Sequence, residues 1–133
     1  GLRAIVPDDI HEIQLAVRAA IDGGARVVLT TGGTGITPTD VTPEAVGPLL
    51  ERRIPGIAEA LRLAARDRVP TSVLSRGVAG TIGSALVVTL PGSPGGVRDG
   101  MAVLAPLIAH AAAQLAGGDH QPGGGMPDAP DPR

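Results

Sequence analysis

Residues 26–35 read Arg26-Val27-Val28-Leu29-Thr30-Thr31-Gly32-Gly33-Thr34-Gly35, a short β-branched run that breaks abruptly into a glycine-rich turn. A run of this kind is typical of a central strand buried on both faces. Glycines let the backbone approach a phosphate closely and aim several N–H groups at it. Downstream, Thr42-Pro43 is a strong helix start, because proline at the first helical position loses no needed N–H. In an open parallel sheet, ligands sit beyond the carboxyl ends of the strands, where this turn falls. The spacing matches neither G-x-G-x-x-G nor G-x-x-x-x-G-K-[ST], so the turn is not a standard dinucleotide or Walker loop. Taken alone, it is as readily structural as functional.

Working outward, the same design recurs. Ala85 to Leu90 (ALVVTL) reads as a second clean strand and feeds into Pro91-Gly92-Ser93-Pro94-Gly95-Gly96. A long helix is predicted from about Val97, with Val97, Met101, Leu104, Ile108, Ala111 and Leu115 as its apolar stripe and Pro106 as a kink. Toward the N-terminus, Leu2 to Val6 reads as a strand. Asp8 or Asp9 then caps a helix whose Ile10, Ile13, Val17, Ala20 and Ile21 share a face, with Gly23-Gly24 as its stop. Glu12, three residues after Asp9, suits a capping box.

Between the two units, a helix covers about Pro43 to Glu51. Arg53-Ile54-Pro55-Gly56 interrupts it, and a second helix runs from about Ile57 to Arg66. Thr71 to Leu74 reads as a strand ending in Ser75-Arg76-Gly77. The alternation predicts an α/β domain with a mostly parallel sheet over residues 1–116. Residues 117–133, rich in Gly, Pro and Asp, are expected to be disordered.

The chain has 133 residues, 43% of them apolar, which fits one domain with a single core. No run of eighteen or more apolar residues exists, so no membrane partner is expected. The sequence opens Gly-Leu-Arg, without an initiator Met or a signal-peptide pattern; it reads as a fragment, with cytoplasmic location the default. Absence of cysteine excludes disulfides, thiolate catalysis and cysteine-based metal sites. His11, His110 and His120 are scattered and read as helix or tail histidines. A net charge of −2 offers no field for nucleic acid. All 11 basic residues are arginine, so no Walker-type lysine is available. Without aromatics, a bound ring must be held by aliphatic walls and backbone groups.

Three further side-chain types could carry chemistry. Asp40, five residues after Gly35, could hold Mg²⁺ beside substrate phosphates, or serve as a turn aspartate. Asp8 in Pro7-Asp8-Asp9 lies at the same sheet edge, and one of that pair is expected to be only an N-cap. Ser93 could hydrogen-bond a phosphate or ring substituent; no histidine is placed to activate it as a nucleophile. Arg53 and Arg76 are candidate anion contacts, with solvated surface arginine an equal alternative.

The ordered string TTGGTGITPTDVTPE, then Arg53-Ile54-Pro55-Gly56, Ser75-Arg76 and LPGSP, resembles the Mog/MoaB family of molybdenum-cofactor biosynthesis. The resemblance spans about Leu2 to Leu115. Related folds occur in MoeA-type and CinA-like proteins, but GGTG with TPE favours the Mog/MoaB branch and leaves Mog against MoaB open. It implies a three-layer α/β/α molybdopterin-binding domain, usually a homotrimer, with molybdopterin and ATP as substrates and Mg²⁺ as cofactor. The implied reaction is adenylylation of molybdopterin with release of pyrophosphate. Asp8 and Asp40 fall at the family's functional aspartates, as catalytic and metal-binding residues, with the metal's choice between them open. Implied ligand contacts are Thr31, Gly32, Gly33, Thr34, Gly35, Ser75, Arg76, Pro91, Gly92, Ser93, Pro94 and Gly95. Family members begin with a strand and an S-D-R-A-S-x-G-like segment that contributes to the site, and the present sequence starts after its place. Its presence upstream implies a catalytic domain; its absence implies a sheet one strand short and a non-catalytic molybdopterin-binding or carrier module.

Overall fold

The computed structural model describes residues 2–117; of the tail expected to be disordered, 117–133, all but the first residue lie outside the described part. Helix α1 (Ile10–Asp22) starts on Asp9, whose side chain accepts the Glu12 N–H at 3.0 Å. Asp9 is therefore the cap, and Asp8 stays exposed beside it. The helix stops at Gly23-Gly24, where Gly24 takes φ +97°.

Strand β1 (Val27–Thr31) follows, then the glycine-rich turn and the short helix α2 (Thr42–Val46). The expected helix to Glu51 is cut short: a 3-10 turn takes Gly47–Leu49. Pro48 explains this, since it lacks the N–H and its ring would meet the carbonyl of residue 44. Arg52–Arg53 form a two-residue strand, β2, and α3 (Pro55–Ala65) begins on its own proline.

Two expected strands are absent. Residues 2–6 form none, and Leu2 and Ile5 are exposed. An extended stretch becomes a strand only where a neighbour takes its N–H and C=O groups, and no described strand pairs with it. Thr71 to Leu74 lie instead in a 3-10 helix, Pro70–Leu74. Pro70 presets its first φ, and the turn is closed by Ser72 N–H to the Val69 carbonyl and Ser75 N–H to the Ser72 carbonyl.

The missing strand comes later, as β3 (Ala79–Ile82), which pairs with β4 (Ala85–Leu90) through the two-residue loop Gly83-Ser84. Gly83 has φ +58°, the left-handed backbone that such tight hairpins use. Helix α4 (Pro94–Leu115) closes the described fold, with Pro106 inside it.

The strand order is β1-β4-β3-β2. Among the described strands, only β1 and β4 are parallel; β4–β3 and β3–β2 are antiparallel. The sheet is thus mixed rather than mostly parallel, because a two-residue loop can join only antiparallel neighbours. Gly80 matters at the β3–β2 pair: a Cβ there would overlap the Arg52 carbonyl oxygen.

The three-layer α/β/α arrangement holds. One cluster packs Ile13 and Val17 of α1 and Ala45 and Val46 of α2 against Val28, Ile82 and Val87. The other packs Leu104 of α4, with Ile57 and Leu61 of α3, against Ala79, Leu86, Val88 and Leu90. Successive residues of β4 point to opposite clusters, and all six are buried. This is why ALVVTL is apolar almost throughout.

Leu104 is wholly buried, whereas Leu107 on the same helix is exposed. Leu104→Ala should cost about 2–5 kcal/mol in urea unfolding. Leu107→Ala should stay within about 0.5 kcal/mol of wild type. Equal losses would contradict the packing described.

Candidate functional site

The parallel pairing of β1 and β4 runs in register from Val27↔Leu86 to Thr31↔Leu90. Both glycine loops therefore leave the sheet at the same edge. Gly32 N–H extends the ladder by donating to the Leu90 carbonyl at 2.9 Å. The loops then touch backbone to backbone: a Cβ on Gly92 would lie 3.2 Å from Gly32 Cα. Gly32 and Gly33 take φ +92° and +69°, so neither position suits a side chain. A Cβ on Gly33 would also overlap the Thr42 hydroxyl.

The loop's hydrogen bonds divide its backbone into two sets. Four consecutive carbonyls all accept from elsewhere in the protein. Thr42 Oγ1 donates to Gly32 O at 3.0 Å and Thr42 N–H to Gly33 O at 3.1 Å. Arg76 N–H donates to Thr34 O at 2.7 Å and Arg76 Nε to Gly35 O at 2.8 Å. Among the described residues, the N–H groups of Gly33, Thr34 and Gly35 have no protein acceptor. A run of unpaired amides whose carbonyls are all engaged can bind an anion.

Asp40 holds the next turn. Its Oδ2 accepts from Thr37 N–H at 3.0 Å and Thr37 Oγ1 at 2.8 Å, while Asp40 N–H returns to the Thr37 carbonyl at 3.0 Å. The turn role is real, yet it occupies one carboxylate oxygen; Oδ1 has no protein donor among the described residues. Asp8 is exposed and makes no side-chain hydrogen bond among the described residues. No group of three or more histidines and carboxylates among them could cage a metal unaided.

On the second loop, Ser93 caps α4: its Oγ accepts from Gly96 N–H at 3.0 Å, with Pro94 as the first helical residue. Gly92, Ser93 and Pro94 are exposed, Pro91 and Gly95 are half-buried, and the Ser93 hydroxyl proton remains available. Gly96 is tightly placed, since a Cβ there would lie 2.6 Å from Pro91 Cγ. Ser75 Oγ accepts from Gly77 N–H at 3.2 Å, and Arg62 donates to the Ser75 and Gly77 carbonyls at 3.1 and 3.3 Å. Behind Ser75 and Pro91 lies a cavity of about 30 Å³, room for a water rather than a ligand ring. Arg53 donates to the Gly47 carbonyl at 3.2 Å. His11 is exposed, and His110 meets Gln114 on α4. His120 lies outside the described residues.

Thr42 and Glu44 were not among the expected site residues. The sequence TPE read as a helix start, but Thr42 also binds two loop carbonyls. Glu44 pairs with the Arg76 guanidinium, at 2.6 Å to NH1 and 3.3 Å to NH2. The Arg76 hydrogen bond holds the Glu44 carboxyl below its ordinary range. Reciprocally, the Glu44 hydrogen bond raises Arg76.

A carboxyl lowered in the folded state adds stability that is full above its ordinary value of 4.5 and lost as pH falls through the lowered native value. Between about pH 5 and pH 3, wild type should therefore lose thermal midpoint more steeply than Glu44→Gln. Parallel curves would show that the pair adds nothing. Gly33→Ala should unfold more readily than wild type in urea, because both φ and the Thr42 contact oppose it.

A protein family described as "Probable molybdopterin binding domain" matches residues 2–110. Gephyrin of Dictyostelium discoideum is 45% identical over 107 residues, 80% of this chain and 15% of that protein. Molybdenum cofactor biosynthesis protein B of Bacillus cereus is 44% identical over 115 residues, 84% of this chain and 68% of that one. The crystal structure of a molybdopterin biosynthesis protein from Mycobacterium abscessus superposes with TM-score 0.81 at 50% identity, covering 86% of this chain and 73% of that one. The chain spans 15–37% of the length of the first four curated relatives it matches. With the motifs, the three layers and these likenesses in agreement, the chain belongs to the Mog/MoaB family of molybdenum-cofactor biosynthesis proteins.

Proposed function

We propose that this chain is the catalytic domain, residues 1–116, of a molybdopterin adenylyltransferase. The observation that carries the reading is the divided backbone of the first loop. Its carbonyls at Gly32 to Gly35 are bonded away, and three successive amides are left for an anion. The helix that follows the second loop adds positive potential at its N-terminus.

In the proposed reaction, a phosphate oxygen of molybdopterin attacks the α-phosphorus of ATP. A new P–O bond forms, the bond from the α-phosphorus to the bridging oxygen breaks, and pyrophosphate leaves. The attacking group is already an anion, so no general base is required. What remains is alignment and neutralisation of charge between phosphoryl groups that repel each other. The amides of Gly33, Thr34 and Gly35 would hold phosphoryl oxygens, with Thr31 beside them. The second loop, Pro91 to Gly95, would contact the pterin, with Ser93 as hydroxyl donor while its oxygen still accepts from Gly96. Ser75 would lie at the floor between the loops.

The donor set fits Mg²⁺ in one mode only. With no acidic cage among the described residues, the ion would bind through one or two carboxylates, its remaining positions filled by water and substrate phosphates. Asp40, through its free Oδ1, and exposed Asp8 would hold it. Bound there, Mg²⁺ would supply charge neutralisation on the phosphates. The domain would act as a cytoplasmic homotrimer.

Asp40→Asn keeps an oxygen for the Thr37 bonds but removes the charge. It should lower formation of adenylylated molybdopterin by about 100-fold or more with the thermal midpoint retained. Full turnover in this variant would sink the assignment. Molybdopterin binding by wild type, measured calorimetrically without ATP-dependent pyrophosphate release, would make the chain a carrier module instead.

A further inference from the structure

We infer that Arg76 is a positioning residue: it fixes the segment that carries Asp40 rather than binding the ligand itself. The kinetic part of this inference rests on the adenylyltransferase reading; the structural part does not. Arg76 is far from Asp40 in sequence, on the turn after the Pro70–Leu74 3-10 helix. Its guanidinium nevertheless bonds both ends of residues 35–40. Nε donates to Gly35 O at 2.8 Å, and NH2 donates to Asp40 O at 2.7 Å. Its backbone N–H takes Thr34 O, so one residue holds three carbonyls of the loop.

Glu44 fixes the guanidinium itself, by accepting from NH1 and NH2. Because Glu44 lies in the first turn of α2, the brace ties the loop to a helix on one side and to the Ser75-Arg76-Gly77 turn on the other. Of five guanidinium N–H groups, four have protein partners. That inventory leaves little for a phosphate, and the planar fork is what lets one side chain meet three acceptors at separate places. A point charge of the same sign could not.

This gives the variant its discriminating power. Arg76→Lys preserves the charge and removes the fork. Two readouts decide, each on wild type, Arg76→Lys and Glu44→Ala. The first is amide exchange at Thr37 and Asp40, whose N–H groups close the turn at 3.0 Å each. The second is steady-state turnover with molybdopterin and MgATP.

As a brace, Arg76→Lys should speed exchange of both amides by about tenfold or more while β4 amides keep wild-type rates. In turnover, kcat should fall about tenfold or more with KM for molybdopterin within about threefold. Glu44→Ala should shift both readouts in the same direction by less, and it serves alone if the lysine variant does not fold. Unchanged exchange at Thr37 and Asp40 in both variants overturns the brace. So does a raised KM at constant kcat, which is the signature of a direct ligand contact. A wild-type protein that exchanges as expected but forms no adenylylated molybdopterin would defeat the adenylyltransferase reading and leave the brace supported.

Discussion

Parallel pairing of β1 with β4 is the contact on which the site depends. Parallel neighbours end at the same edge, so two segments nearly sixty residues apart deliver their loops side by side. The Gly32 N–H to Leu90 carbonyl bond carries the ladder one residue past β1 and sets the first loop against the second. At the crossing, Gly32 and Gly92 meet with no side chain between them. A larger residue at either place would separate the loops, and the loops would no longer form one surface. The rest of the sheet supports this pair. β3 and β2 complete it by antiparallel pairing, and two helical layers bury its faces.

A loop that is to bind through its backbone faces a general problem. Amides must be left unpaired for a ligand, yet a backbone with unpaired groups on both sides is unstable and has no preferred shape. Here the division is made residue by residue. Thr42 and Arg76 take the carbonyls, Asp40 closes the following turn, and the amides of Gly33 to Gly35 stay open. The Arg76–Glu44 pair is exposed, and an exposed ion pair adds little stability by itself. Its importance is geometric, because the carboxylate sets the plane of the fork that spans Gly35 and Asp40.

The parts of this architecture legible in the sequence are those written in local chemistry. ALVVTL announces a strand buried on both faces, whereas RVVLT announces a strand but not its place: β1 lies at the edge of the described sheet rather than at its centre, and Val28 is its one buried residue. Asp9 lies three residues before Glu12 at the start of a periodic run, and it caps the helix. Both glycine loops and Asp40 were legible from position relative to the strands. Leu2 to Val6 has the composition of a strand, but strand formation needs a partner, which composition does not report. Thr71 to Leu74 has apolar β-branched character, yet Pro70 starts a 3-10 turn there. Ala79 to Ile82 carries little strand signal, because alanine and glycine are weak strand formers. Its clue was the two-residue Gly83-Ser84 loop before ALVVTL. Thr42 reads as a helix start, and its second role depends on loop carbonyls brought to it by the fold; the role of Glu44 depends on the Arg76 guanidinium, which is distant in sequence.

The absence of lysine acquires a physical sense in this light. Three arginines, Arg53, Arg62 and Arg76, use their guanidinium groups on main-chain carbonyls: Gly47; Ser75 and Gly77; Gly35 and Asp40. A guanidinium can serve several acceptors at fixed angles, which an ammonium cannot. Cationic side chains thus define the backbone of the loops, and the backbone amides are what the loops present. A phosphate held in this way would meet partial charges fixed by the fold, with little side-chain freedom to lose on binding. That arrangement suits a reaction in which position, more than acid or base, sets the rate.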